Sequence, residues 1–107
     1  MYAEKTTEEH LKVAISNTMS KLDLSLVDYT TLEDNSITPG RYIFYFEFNN
    51  ELPKSRLKLL EKTLDLELQK ANLAYGRFRK SNKLACIGVI VIRKNTFDNI
   101  KKFLISK

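Results

Sequence analysis

The chain has 107 residues, with 18 Lys and Arg, 13 Asp and Glu, one His and one Cys; that is enough for one hydrophobic core and too little for two ordinary domains. A hydrophobic share of 43% with only 3 Gly and 2 Pro argues against disorder, and a single Cys excludes an internal disulfide or a Cys-based metal cage. The longest apolar run, residues 84–92, is strand-sized, so neither a membrane span nor a signal peptide is expected, and the composition points to a soluble protein of a reducing, cytoplasmic compartment.

Residues 6–9 (TTEE) open a helix, with Thr6 as the cap and Glu9 reaching back in a capping box. Leu11, Ala14, Ile15, Met19 and Leu22 continue it at helical spacing. Residues 24–31 (LSLVDYTT) read as a strand, rich in β-branched and aromatic side chains. A polar loop ends at Pro39-Gly40, a turn signal. Residues 41–49 (RYIFYFEFN) alternate, with Tyr42, Phe44, Phe46 and Phe48 on one face and Ile43, Tyr45 and Glu47 on the other. This strand is expected to pair antiparallel with the one before it. Pro53 suits the first turn of a long helix to about Asn72, striped by Leu57, Leu60, Leu64 and Leu68. Residues 73–83 (LAYGRFRKSNK) read as irregular and basic. Residues 85–92 (ACIGVIVI) are apolar on both faces, as a central strand would be. Asn95 or Thr96 caps a last helix carrying Phe97, Ile100, Phe103 and Leu104. The order α-β-β-α-β-α predicts an α+β fold: a small mixed sheet of about three strands with helices packed on it, one domain over residues 1–107.

The charge is unevenly placed. Residues 1–74 hold 9 Lys and Arg against 12 acids, whereas residues 75–107 hold 9 against one acid, Asp98. A basic C-terminal third attracts phosphate, or simply keeps helix faces solvated. Few residues offer chemistry. His10, the only histidine, reads as a solvated helix residue without metal partners. Cys86 opens an apolar strand and reads as a buried, inert thiol. Gly40, Gly76 and Gly88 lie too far apart for a phosphate loop. The stretch Tyr75-Gly76-Arg77-Phe78-Arg79-Lys80 joins two aromatics to three cations. Rings stack on bases and cations neutralise phosphate, so it suits RNA, single-stranded DNA or an adenine nucleotide. The other reading is a solvated connector whose Tyr75 and Phe78 turn into the core.

The order of short segments resembles a known family. Glu4-Lys5-Thr6-Thr7-Glu8-Glu9, Leu26-Val27-Asp28-Tyr29-Thr30, Pro39-Gly40-Arg41-Tyr42, the Asn72, Tyr75 and Arg79 pattern, and Asn95-Thr96-Phe97-Asp98 are together similar to the C-terminal domain of the Gretchen Hagen acyl acid–amido synthetases. The resemblance implies a mobile, lid-like domain of an adenylate-forming enzyme that uses ATP and Mg2+, with an N-terminal adenylation domain in cis. It implies no catalytic residue in this chain, nor activity from it alone. Lys5 matches the family's hinge lysine, and Tyr75, Arg77 and Arg79 become candidates to face the nucleotide phosphates. The chain departs from the family at Asn95, where a Gly is usual, and stops at Lys107, before the family's closing lysine-bearing tail. It is expected to be a piece of a longer protein, bacterial by its Lys- and Asn-rich composition. The alternative expectation is a free-standing basic module that holds RNA or single-stranded DNA through residues 75–83.

Overall fold

The computed structural model describes residues 6–92. Helix α1 spans Glu8–Leu22. Its cap is Thr7, one residue later than the sequence suggested. The Thr7 hydroxyl accepts from the His10 backbone N–H (3.3 Å), and the Thr7 N–H donates to His10 Nδ1 (3.2 Å). An imidazole thus takes the reciprocal place assigned to a carboxylate, and Thr6 is left for another partner. Glu8 and Glu9 in the first turn and Lys21 in the last suit the helix dipole. Asp23 ends the helix in the left-handed region (φ 54°), and the Leu24 N–H bonds back to Met19 O at 2.9 Å.

That backward bond explains a second shift. Leu24 closes the helix, so strand β1 begins later and runs over Leu26–Asp34. It pairs antiparallel with β2, Arg41–Phe48, in a register from Leu26↔Phe48 to Asp34↔Arg41, with an irregularity between Leu26 and Asp28. The far end is held by Asp34, which accepts from Ser36 N (3.0 Å) and Arg41 Nε (3.0 Å). The intervening loop contains a cis Thr38–Pro39 bond. Phe44, Phe46 and Phe48 are buried, as their alternation predicted, and their rings meet along the strand in tilted and edge-to-face contacts, 5.7 and 5.6 Å between centroids.

Pro53 leads into a short 3₁₀ turn, Lys54–Arg56, and then α2, Leu57–Ala71. Leu60, Leu64 and Leu68 are fully buried. Residues 73–80 are not irregular: they form helix α3, Leu73–Lys80. The Asn72 side chain caps it by accepting from Tyr75 N at 3.2 Å. Strand β3 is shorter than expected, Gly88–Val91, and lies parallel to β2 from Ile43↔Gly88 to Phe46↔Val91. The sheet order is β1-β2-β3. The central strand is therefore β2, and the apolar 84–92 segment supplies an edge. Its apolar content has a different reason: Leu84 and Ile87 are buried ahead of the strand, where Ala85 N donates to Gly40 O at 2.8 Å. On the edge itself, Val89 N finds Glu61 Oε2 of α2 at 2.8 Å.

The expected α+β fold results, a mixed three-stranded sheet with helices packed on it. Its core gathers Ala14, Ile15 and Met19 of α1, the three leucines of α2, the β2 phenylalanines and Val89. Apart from Ala14, each such side chain contributes about 1.5–3 kcal/mol by burial. On the other sheet face Ile43 and Tyr45 are half-buried, while Leu32 and Ile90 are exposed. Among the described residues no helix is long and apolar enough to cross a membrane. The helix predicted from Asn95 or Thr96 onward lies outside the described residues.

Candidate functional site

The candidate residues cluster where α2 turns into α3. Asp65 projects from the buried side of α2 and is 3% exposed. Its Oδ1 accepts from the Tyr75 hydroxyl at 2.5 Å. Arg79 Nε lies 3.0 Å from both carboxylate oxygens, and Gln69 Nε2 donates to Oδ2 at 2.9 Å. Arg79 also donates through Nη1 to Leu84 O at 3.1 Å. Tyr75 and Arg79 are four residues apart, on one face of α3, so both reach the same acid. Burial, and then the Asp65 charge, push the Tyr75 hydroxyl far above its usual range, so it stays protonated. Burial opposes the charge on Arg79, but the charge and hydrogen bond of Asp65 outweigh it and hold the guanidinium ionised.

Among the sequence candidates, Tyr75 is wholly buried and Arg79 has 22% of its side chain exposed. Both bind Asp65, and Arg79 also holds Leu84 O. Arg77 is exposed on α3, beside Lys80 at helical spacing, and Lys5 lies outside the described residues. The structure therefore brings Tyr75 and Arg79 together inside and leaves Arg77 on the surface. Phe78 packs partly against the core. The two rings that were to stack on bases turn inward, and nothing in the fold favours the nucleic-acid reading.

His10 is a helix residue, as expected, and its ring also takes part in the α1 cap. Cys86 is exposed rather than buried, although partial burial of its thiol, followed by the nearby Asp65 charge, pushes its proton affinity up. Sequence reasoning missed Asp65 and a second buried acid, Glu67. Glu67 accepts from Lys21 Nζ (2.5 Å), Asn17 Nδ2 (3.3 Å) and Lys70 Nζ (3.3 Å), which ties α1 to α2. The one available signal was their place next to the leucines of the α2 stripe. A crevice of about 700 Å³ opens beyond the ends of β2 and β3, walled by Phe48, Leu52, Pro53, Leu57 and Ile92.

This helix–strand order is shared with a known family of domains. The model of the GH3 family C-terminal domain matches residues 9–107. The chain belongs to that family. Relatives of this GH3 C-terminal domain include the indole-3-acetic acid-amido synthetase GH3.15 of Arabidopsis thaliana, 26% identical over 97% of this chain and 19% of that protein. Another is the 4-substituted benzoates-glutamate ligase GH3.12 of the same plant, 31% identical over 98% of this chain and 20% of that protein. The solved structure of a GH3.15 acyl acid amido synthetase superposes with a TM-score of 0.84 at 25% identity, over 99% of this chain and 20% of that one. The GH3 C-terminal domain described here thus spans about a fifth of the length of these relatives.

Proposed function

We propose that this GH3 C-terminal domain serves as the mobile lid of an ATP-dependent acyl acid–amido synthetase. In the first half-reaction a carboxylate oxygen of the acyl acid attacks the α-phosphorus of ATP, forming an acyl-adenylate and expelling pyrophosphate. In the second, an amino acid amine attacks the acyl carbon, forming an amide and releasing AMP. The observation that carries this reading is the family match across residues 9–107.

The physical form of the domain suits the task. A lid must move as one body and exclude water from a hydrolysable intermediate. The shared core and the Glu67 and Asp65 clusters join helices and sheet into such a body. This chain matching only about a fifth of its relatives' length, we assign Mg2+, the acyl acid and most nucleotide contacts to an N-terminal domain in cis. From this chain, Lys5 and the exposed Arg77 are the cations we assign to the nucleotide phosphates; Tyr75 and Arg79 support that surface by fixing α3. ATP as co-substrate fits a cytoplasmic location. A bacterial origin rests on composition alone, the relatives named above being plant proteins.

The test uses the natural full-length protein containing this chain, with and without this domain. Pyrophosphate release and amide formation are measured with a panel of acyl acids and amino acids. Deleting the domain is expected to abolish amide formation; both half-reactions surviving intact would refute the reading.

A further inference from the structure

Helix α2 has two faces that differ in kind. Its inner side carries Leu60, Leu64 and Leu68 into the core. Its acids are engaged as well: Glu61 accepts from Val89 N at 2.8 Å, and Asp65 and Glu67 are buried among their donors. The exposed residues of α2 are Lys58, Leu59, Lys62, Leu66 and Lys70, so the outward face holds lysines and leucines and no acid. Leu59 and Leu66 are 49% and 47% exposed. Seven residues apart, they lie two turns from each other along one line, on the side away from the core stripe. A single exposed leucine is ordinary. An aligned pair between cations is a small apolar centre with a charged rim, the anatomy of a protein interface. Past the Asn72 corner, α3 repeats the pattern: Leu73, 71% exposed, shares a helix side with the exposed Arg77 and Lys80.

We propose that the outward face of α2, Leu59 and Leu66 rimmed by Lys58 and Lys62, seats the domain on an acid-rimmed apolar patch of the N-terminal domain in cis. The inference rests on the lid reading for that second domain, and it names the face through which the two meet. Three occupants were open. A second copy offering the same face would set lysines against lysines, which disfavours the pair. A helix that lies on a membrane needs a wide apolar face; the wide face of α2 is used by the core, and two half-covered leucines are a narrow line. The remaining occupant is the rest of the polypeptide. The chain spans about a fifth of the length of its relatives, and a tethered partner is held at high effective concentration, so a small contact suffices. Seating α2 there also carries α3, with Arg77, toward the domain to which the nucleotide is assigned.

The experiment is pulsed lysine acetylation with an N-hydroxysuccinimide acetate, read by mass spectrometry on the natural full-length protein, and it requires no turnover. The double change Leu59→Ala, Leu66→Ala removes the apolar contact while alanine keeps the helix. A face seated half of the time labels about 2-fold more slowly than a free one, and a face seated nine-tenths of the time about 10-fold. Lys58 and Lys62 are therefore expected to acetylate about 2- to 10-fold faster in the double variant than in the parent. Lys21, paired with Glu67 between α1 and α2, should keep its rate; an equal rise at Lys21 would mean general loosening and would count against the seat. Equal rates at Lys58 and Lys62 in parent and variant would overturn it. Protection that grows with protein concentration would assign the face to a second copy, and protection that needs added phosphatidylglycerol vesicles would assign it to a membrane; either result overturns the proposal. Amide formation by a parent whose two lysines are unprotected would remove the seat and leave the synthetase reading standing. Protected lysines in a protein that forms no amide would do the reverse.

Discussion

Asp65 is a carboxylate held almost out of water by four donor contacts from Tyr75, Arg79 and Gln69. A buried ion pair is tolerated only when its lone pairs are filled, and removing one member leaves the other charge uncompensated. Asp65→Ala strands the Arg79 guanidinium and the Tyr75 hydroxyl together, so it is expected to lower stability by about 3–5 kcal/mol. Tyr75→Phe removes one hydrogen bond and leaves the ion pair, for about 1.5–3 kcal/mol. Urea unfolding of both variants tests the ranking. A smaller loss for Asp65→Ala than for Tyr75→Phe would show that the carboxylate is not the hub. Cys86, close by, gives a second test. Its thiol is exposed yet held protonated above its usual range by partial burial and by the Asp65 charge. The thiolate is the reactive form. Iodoacetamide should therefore label Cys86 more slowly than a free cysteine at pH 8, with the difference closing as the pH rises; equal rates at pH 8 would contradict this.

At the scale of elements, the joint between α1 and α2 depends on Glu67, whose carboxyl is only 4% exposed. The Lys21 hydrogen bond holds its proton affinity below the usual carboxylate value, against the opposing effect of burial; Lys70 adds to the lowering. The folded value lies below the unfolded one, so the stabilisation is fully present above the unfolded value and is lost as pH falls through the folded value. Unfolding midpoints should decline on acidification below about pH 4.5, the ordinary glutamate range. Asp34, lowered chiefly by its Ser36 hydrogen bonds, titrates in the same direction, so Glu67→Gln should flatten the decline without abolishing it. An unchanged acid profile would mean that the helices do not depend on this charge. The elements themselves were legible wherever a period survives in the sequence. The two-residue alternation of Phe44, Phe46 and Phe48 and the leucine stripe of α2 gave β2 and α2 directly. Helix α3 was hidden because Gly76 and a run of cations mask a turn whose stability comes from the Asn72 cap and from Tyr75 buried against Asp65. Tyr75 and Arg79 could be picked out as special residues. Their partner could not, because Asp65 becomes their neighbour only once α2 and α3 meet at a corner.

For the whole molecule, the deciding quantity is where the positive charge faces. The last third carries the excess, yet Arg79 is neutralised inside, so among the described residues of α3 the outward cations are Arg77 and Lys80. Two explanations compete. Cations at a helix C-terminus favour the helix dipole and solubility wherever they occur. Cations on a lid also raise the local concentration of a polyphosphate beneath it, and that attraction falls with ionic strength because the screening length shrinks from about 10 Å at 0.1 M salt to about 3 Å at 1 M. The double change Arg77→Gln, Lys80→Gln in the full-length protein, assayed as the proposed synthetase, separates them. If the cations face nucleotide, the KM for ATP should rise several-fold at low salt, and the difference from the parent should shrink as salt is added. Both residues are exposed, so the unfolding midpoint should move little. If the KM is unchanged at low salt while the helix loses a little stability, the charges serve the dipole and the solvent, and the proposed lid would have to turn another face to the nucleotide.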